Sequence, residues 1–315
     1  MKKIVVTGAS GFLGRHLMPI LETLYGINHV TGLSTQNFDL LRQEQVEQLF
    51  ETYRPEVLIH LAAYSGGIGA NRSFPADFFH KNALFVTLLF EAAAKYGVKK
   101  MIYPMGGCSY PATATSPISE DQMWNGYPQM ESAGYSVAKK MGIVASRSYR
   151  QQHGLNSVVL IPGNMYGEYD NFRESESHVV PAMIRRYYET KLRGESEIVM
   201  WGDGSPVRDF VYAGDVAKVI PWFIENYDSS EPVNVSSGSE TCIRELAETI
   251  KHKMDWDGKI IWDTSKPNGQ LVKIFDVKQL NDLGLECATS LAEGLERTIR
   301  WLESNYNSPL NGIRL

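Results

Sequence analysis

The sequence predicts an α/β protein with a doubly wound, mostly parallel sheet and a smaller C-terminal domain, and three observations carry that expectation. Short apolar runs alternate with segments of helical periodicity through the first half of the chain. A glycine-rich turn, Gly8-Ala9-Ser10-Gly11-Phe12-Leu13-Gly14, joins the first apolar run to the first helical segment. At 315 residues the chain is long for one compact core, which leaves room for a companion domain.

Taken in order, Ile4–Thr7 reads as a buried strand and Leu13–Tyr25 as a helix. A second strand is expected to end near Val30–Leu33. Val57–Leu61 reads as a strand, Phe78–Tyr96 as a long helix and Lys100–Met105 as a further strand. Tyr135–His153 is a helix and Ser157–Ile161 a strand. Strands separated by helices of this length imply βαβ crossovers. After Pro162 the rhythm changes. Gly163 to Ser177 is polar and reads as a loop carrying function, followed by a helix over Val180–Lys191. From Glu240 onward come an amphipathic helix, a short strand near Lys259–Trp262 and a last helix around Leu291–Asn305. The expected division is a Rossmann-type domain over 1–165 plus about 205–235, and a substrate domain over 166–204 and 236–315.

Composition narrows the class. Hydrophobic residues make up 43% and charged residues 21%, an ordinary globular balance without a disorder signature. A net charge of −5 disfavours a nucleic-acid partner, although a local basic cleft is compatible with it. Cys108, Cys242 and Cys287 show neither metal-site nor redox spacing, so no metal is expected and a reduced, cytoplasmic setting is the default. The apolar run after Met1-Lys2-Lys3 stops at Gly8, too early for a signal peptide, and no stretch reaches the length of a membrane span.

Between a strand and a helix, Gly8, Gly11 and Gly14 suit a dinucleotide pyrophosphate. Glycine permits the tight turn and the close approach of backbone, and the helix N-terminus offers unpaired N–H groups to the anion. Three glycines alone are a weak signal; their position after the first strand strengthens it. Whether the nicotinamide cofactor is NAD or NADP stays open. The second strand is followed by Ser34, Thr35 and Gln36, neither the acid that binds the ribose of NAD nor the arginine that binds the phosphate of NADP. Asp39 lies either near the adenine or at a helix N-cap.

Tyr135 and Lys139, four apart on a helix, face the same way. An ammonium beside a phenol is expected to lower the tyrosine pKa towards neutrality, as general acid–base work requires. On its own the pair would usually be a solvated face. After a glycine turn and repeated βαβ units, it resembles the extended branch of the short-chain dehydrogenase/reductase superfamily.

Further motifs resemble GDP-L-fucose synthase and its relatives, over nearly the whole chain. They are Gly66-Gly67-Ile68-Gly69-Ala70-Asn71, Cys108 with Tyr110-Pro111, Asn164-Met165-Tyr166-Gly167 and Asp170-Asn171-Phe172. Ser177-His178-Val179 with Pro181, Trp201-Gly202, Arg208-Asp209-Phe210, Lys266-Pro267-Asn268-Gly269 and Lys273 continue the series. The resemblance implies NAD(P) contacts at Gly8, Gly11, Phe12, Leu13, Gly14, Asp39, Leu40, Leu61, Ala62, Ala63, Tyr135 and Lys139. It also implies a nucleotide-sugar substrate, GDP-linked by preference, near Asn164, Arg186, Trp201, Arg208 and Lys273. A homodimer is expected on the same basis.

In the resembled family a cysteine and a histidine exchange protons beside a keto group, which casts Cys108 and His178 as base and acid at carbons 3 and 5 of a 4-keto-sugar. Inversion needs one group to remove a proton and another to return it from the opposite face. The plainer alternatives are a small buried hydrophobe for Cys108 and an ordinary hydrogen-bonded residue for His178. Arg208 reads as a diphosphate ligand or as the ion-pair partner of Asp209, Trp201 as a nucleotide contact or core filler, and Arg185 and Arg186 as pocket lining or solvated helix face.

One departure matters. The family places Ser or Thr four residues before the tyrosine matched by Tyr110, to polarise the reacting carbonyl, and this chain has Gly106 followed by Gly107. Ser109, on a strand, would point to the opposite face. The phosphate-binding arginines of NADP-dependent members are replaced by Ser10 and Ser34. The leading expectation is therefore an epimerase/reductase, or an epimerase alone, on an NDP-4-keto-sugar. Its rivals are a 4-epimerase or 4-dehydrogenase with retained NAD, and a non-catalytic sugar-nucleotide-binding protein.

Overall fold

A computed structural model describes residues 2–174, 176–266, 268–308 and 314–315. β1 (Ile4–Thr7) runs into α1 (Phe12–Tyr25), followed by β2 (Val30–Leu33), α2 (Gln43–Tyr53) and β3 (Val57–His60). Next come α3 (Ile68–Ser73), α4 (Pro75–Lys95), β4 (Lys100–Pro104), α5 (Ala133–His153) and β5 (Asn156–Pro162). β6 (Asn164–Tyr166), α6 (Val179–Leu192), β7 (Glu197–Trp201), β8 (Val207–Arg208), β9 (Phe210–Tyr212), α7 (Ala213–Asn226) and β10 (Val233–Val235) continue the chain. It closes with β11 (Thr241–Cys242), α8 (Ile243–Lys253), β12 (Lys259–Asp263), β13 (Val272–Lys273), α9 (Lys278–Asp282) and α10 (Leu291–Asn305).

The described residues form a six-stranded sheet of order β10-β5-β4-β3-β1-β2, parallel at every junction. The strand order reverses between β1 and β3, and in such sheets the crevice outside the carboxyl ends at that point is where ligands bind. The glycine turn leaves β1 there, beside the chain leaving β3.

Helices cover both faces. Leu49, Phe50, Leu89, Phe90 and Ile143 from α2, α4 and α5 close one side, while Leu17, Leu21, Val216, Ile220 and Phe223 from α1 and α7 close the other. Leu13, Leu17 and Leu21 are buried along one stripe of α1. Each such leucine contributes about 1.5–3 kcal/mol on leaving water. A third core joins Tyr187, Ile198, Leu246, Ile250, Leu295 and Leu302 from α6, β7, α8 and α10. Three small sheets lie beside the central one among the described residues: β7 paired with β12, β6 paired with β9, whose Tyr166, Phe210 and Tyr212 join this core, and the strands β11-β8-β13.

Several expectations are corrected. Between Leu33 and Val57 the sequence points only to Asp39 and Leu40 at the cofactor or a helix N-cap at Asp39, whereas α2 buries Val46, Leu49 and Phe50 at helical spacing there. Asp39 does not cap that helix: Arg42 holds the N-cap position, and Asp39 Oδ1 accepts a hydrogen bond from the Leu41 N–H at 3.0 Å. α4 starts at Pro75 rather than Phe78, since proline suits the first helical turn, where the N–H has no partner to lose. β4 ends at Pro104, and Gly107–Ser109 form a 3-10 turn, so strand alternation does not govern Ser109. Its hydroxyl is nevertheless buried, with no hydrogen-bond partner among the described residues. Pro267, part of one family motif, lies outside the described residues.

Candidate active site

The glycine turn is built to receive backbone and anion. Gly8 adopts φ +73°, and a Cβ there would stand 2.6 Å from the Ala62 nitrogen. A Cβ on Gly14 would collide with the carbonyls of Gly8 and Ala9. A side chain at either position would fill the cradle that a dinucleotide pyrophosphate requires, so the residues present fit that group. Gly11 occupies the N-cap of α1 without a side-chain cap, leaving the first N–H groups of the helix free for an anion. Leu61 and Ala62 pack directly against Gly8, and the exposed Ala63 follows them. Leu13 and Leu40 are core residues, so only their backbones are available to a ligand, while Phe12 is half-buried against His16. Ser34 is bonded to Asn37, which leaves neither acid nor arginine immediately after β2.

Across the crevice, α5 presents Tyr135 half-buried and Lys139 buried. A Cβ built on Gly106 would lie 3.2 Å from Tyr135 Cε1, 3.5 Å from its hydroxyl oxygen and 3.1 Å from Cys108 Sγ. Gly106, Cys108 and Tyr135 therefore share one wall, and the family's missing hydroxyl would have faced this phenol. The expected pKa arrangement is reversed. Burial, with the charge of Cys108 second, pushes the Tyr135 phenol up rather than down. Lys139 is itself driven down to about 7 by burial, partly offset by attraction to Cys108. Desolvation is the largest cause of both shifts, because protein encloses both groups.

His178 stands at the N-cap of α6 and caps it with no side-chain bond. The residue keeps open surface, as one lining a cleft does, while the surrounding protein excludes enough water to lower its pKa. The 66–71 motif braces the approach to it: the Gly67 N–H donates to the Glu176 carbonyl at 2.7 Å, and a Cβ on Gly67 would meet the Ser177 carbonyl at 2.8 Å.

Arg208 and Lys273 are neighbours in the parallel register of β8 and β13. Burial lowers the pKa of both, and each is half-buried. No carboxylate pairs with either among the described residues; Arg208 Nη1 donates only to the Val207 carbonyl, at 2.9 Å. The alternative ion pair with Asp209 does not form. Asp209 is fully buried and accepts from Ser237 Oγ at 2.8 Å and from the N–H groups of Gly238 and Phe275 at 3.1 and 3.3 Å. Its carbonyl accepts from Asn164 Nδ2 at 2.8 Å, so that amide supports the frame of the site. Arg208 and Lys273 thus stand side by side with no counter-charge among the described residues, and such a pair attracts anions.

Arg186 and Trp201 line a cavity of about 660 Å³ between α6 and β7. Trp201 is 66% exposed, which excludes the core-filler reading, and Lys266 Nζ lies 5.7 Å from its ring centroid. Arg185 is paired with Glu189 at 2.6 Å, whereas Arg186 donates to the Val199 carbonyl and meets no carboxylate among the described residues. Gly269 lies against Arg208, with a Cβ built on it 3.8 Å from an Arg208 guanidinium nitrogen. Phe275, which the sequence reading missed, completes the series. Its ring presses on Gly107 and sits 5.9 Å from Lys273 Nζ. The signal available was its place two residues after Lys273, on the same face of an extended segment.

A glycine cradle at the switch point, a tyrosine and lysine on the facing helix, and a cationic approach define a dinucleotide-dependent enzyme of the extended short-chain dehydrogenase/reductase type. The NAD dependent epimerase/dehydratase family model matches residues 4–236, and the chain belongs to that family. Within it the chain is GDP-L-fucose synthase-like. It is 38% identical over 307 residues to "Probable GDP-L-fucose synthase 1" of Oryza sativa subsp. japonica, covering 97% of this chain and 93% of that one. The GDP-L-fucose synthase of Escherichia coli (strain K12) is 32% identical, over 97% and 98% of the two chains. Among solved structures, a GDP-L-fucose synthetase from Naegleria fowleri bound to NADP superposes with a TM-score of 0.88 at 28% identity, over 99% of this chain and 96% of that one.

Proposed function

We propose that this protein is an NAD(P)-dependent epimerase/reductase of a GDP-linked 4-keto-sugar. The observation that carries the reading is the pair Arg208–Lys273, two uncompensated cations placed between the Trp201 cavity and the Cys108–Tyr135 wall. A nucleoside diphosphate sugar has its parts in that order: base, diphosphate, hexose. Arg186 and Trp201 take the base, Arg208 and Lys273 the diphosphate, and the sugar reaches Cys108 and Tyr135.

Gly8, Gly11 and Gly14, with the backbones of Phe12, Leu13, Leu61 and Ala62, hold the dinucleotide, whose bound nicotinamide supplies hydride. Tyr135 is kept as a neutral phenol by its burial, and a neutral phenol is the form that donates a proton to an oxygen developing at carbon 4. Cys108 stands beside that phenol, where a thiolate can remove a proton from a carbon next to the carbonyl. His178, on another element of the cleft, returns the proton. The residues of the third core, with those of β8, β11 and β13, act as the substrate domain. A cytoplasmic homodimer fits the three free cysteines and the exposed Phe79 and Val144 on the packed pair α4 and α5.

A second reading, epimerase without efficient reduction, is favoured by Gly106, which brings no donor to the Tyr135 wall. One experiment separates the possibilities. The full chain is incubated with a GDP-linked 4-keto-sugar in deuterated water, with and without NADPH. Deuterium entry at two sugar carbons and consumption of reduced nicotinamide support the leading reading. Deuterium entry alone supports the epimerase; neither result leaves a binding protein or, if NAD is found bound to the purified chain, an enzyme with retained NAD.

A further inference from the structure

Lys139 is buried, and no acid among the described residues balances it. The groups facing it are Tyr135 on its own helix, Cys108 on the 3-10 turn, Tyr103 on β4 and His60 on β3. None is a carboxylate, and His60 is held neutral by burial and by the charge of Lys139. Its ammonium sits over an aromatic ring: Lys139 Nζ lies 4.4 Å from the Tyr103 ring centroid.

Tyr103 is also fixed with unusual thoroughness. It is fully buried, and its hydroxyl donates to the backbone carbonyl of Lys139 at 3.2 Å. His60 stacks on it with centroids 5.9 Å apart and planes 24° from parallel. His60 is itself pinned through Nδ1 to Thr7 Oγ1 at 2.8 Å. One turn beyond Lys139, Gly142 lets α5 settle onto the same ring, because any Cβ at that position would overlap Tyr103. The ring is thus tied to β1 and β3 through His60 and to α5 through Lys139 and Gly142.

We infer that Tyr103 is the positioning residue for Lys139, its ring face holding the ammonium in place beneath Tyr135. The inference rests on the reading of Tyr135 and Lys139 as the acid–base pair. The physical argument is that an aromatic face attracts a cation through its quadrupole, most strongly where water is excluded. Ring attraction offsets part of the desolvation that opposes the charged form. It does so without a carboxylate, which would pair with the ammonium and turn it away from the phenol.

The test replaces Tyr103 with groups of similar size and different ring charge in the full-length protein. Tyr103→Phe keeps the attractive face, whereas pentafluorophenylalanine at position 103 reverses it with little change in shape. The titration of Lys139 is followed by NMR of 13Cε-labelled lysine, assigned with Lys139→Met. Phe is expected to titrate with the wild type. The fluorinated ring is expected to lower the midpoint by about half to one pH unit. It should also lower kcat at neutral pH with a GDP-linked 4-keto-sugar and NADPH, leaving KM unchanged. If the fluorinated and Phe proteins titrate together, the inference is overturned while the acid–base reading stands. If Lys139→Met keeps full reductase activity, the acid–base reading itself fails.

Discussion

Gly106 and Tyr135 meet across the wall of the cleft, with a Cβ on the glycine placed 3.5 Å from the tyrosine hydroxyl oxygen. The glycine has φ −95° and ψ 141°, a conformation open to any residue. Gly106→Ser should therefore fold, with Cys108 and Tyr135 yielding by a few tenths of an ångström towards the open cleft. A hydroxyl there would donate to the developing alkoxide, and one preorganised donor is worth on the order of a hundredfold. The serine variant is expected to accelerate 4-keto reduction. An unchanged rate in a folded, cofactor-bound variant would show that another group already fills the role.

Tyr135→Phe removes the proton donor and leaves the packing against Phe78 intact. Reductive turnover should fall by about two to four orders of magnitude. Cofactor affinity, measured by nicotinamide fluorescence, should change little. Turnover near that of the wild type would remove Tyr135 from the chemistry.

Cys108→Ser should greatly slow solvent deuterium entry at carbons 3 and 5. His178→Asn should permit removal of the proton and impair its return, so exchange would outlast inversion. Mass spectrometry with product stereochemistry reads both. Normal exchange and normal stereochemistry in both variants would end the epimerase reading.

Arg208 and Lys273 repel one another in the free protein. Lys273→Met should raise Tm while raising KM for the GDP-linked sugar about ten- to a hundredfold, the range for losing a charge-assisted bond. A drop in Tm with KM unchanged would make Lys273 a structural residue instead.

The lysine of the acid–base pair gives a pH signature. Its folded pKa is about 7, against an ordinary 10.5. Between those values the unfolded chain holds a proton that the folded one releases, so its contribution to stability rises with pH and is lost as pH falls towards 7. Lys139→Met lacks this slope. Its Tm should exceed that of the wild type at pH 6, and the gain should shrink steadily as pH rises from about 7 towards 10.5. A gain independent of pH would mean that Lys139 is not desolvated as described.

By itself the sequence determined the order of βαβ units, the glycine turn and the helix carrying Tyr135 and Lys139. These are local: periodicity, turn chemistry and four-residue spacing are written in contiguous residues. The helix Gln43–Tyr53 is legible too, in Val46, Leu49 and Phe50 at helical spacing, although its exposed face is polar. The state of the site was decided by tertiary structure. Tyr135 and Lys139 are adjacent in sequence terms, yet desolvation by β4 and the 3-10 turn sets their protonation against the expected direction. The Arg208–Lys273 pair joins positions far apart in the chain, and only strand register places two cations together with no acid between them. Tyr103 read as one more apolar strand residue. Its contact with Lys139 exists because Gly142 allows a helix to lie directly on the ring, a closeness that no spacing rule encodes.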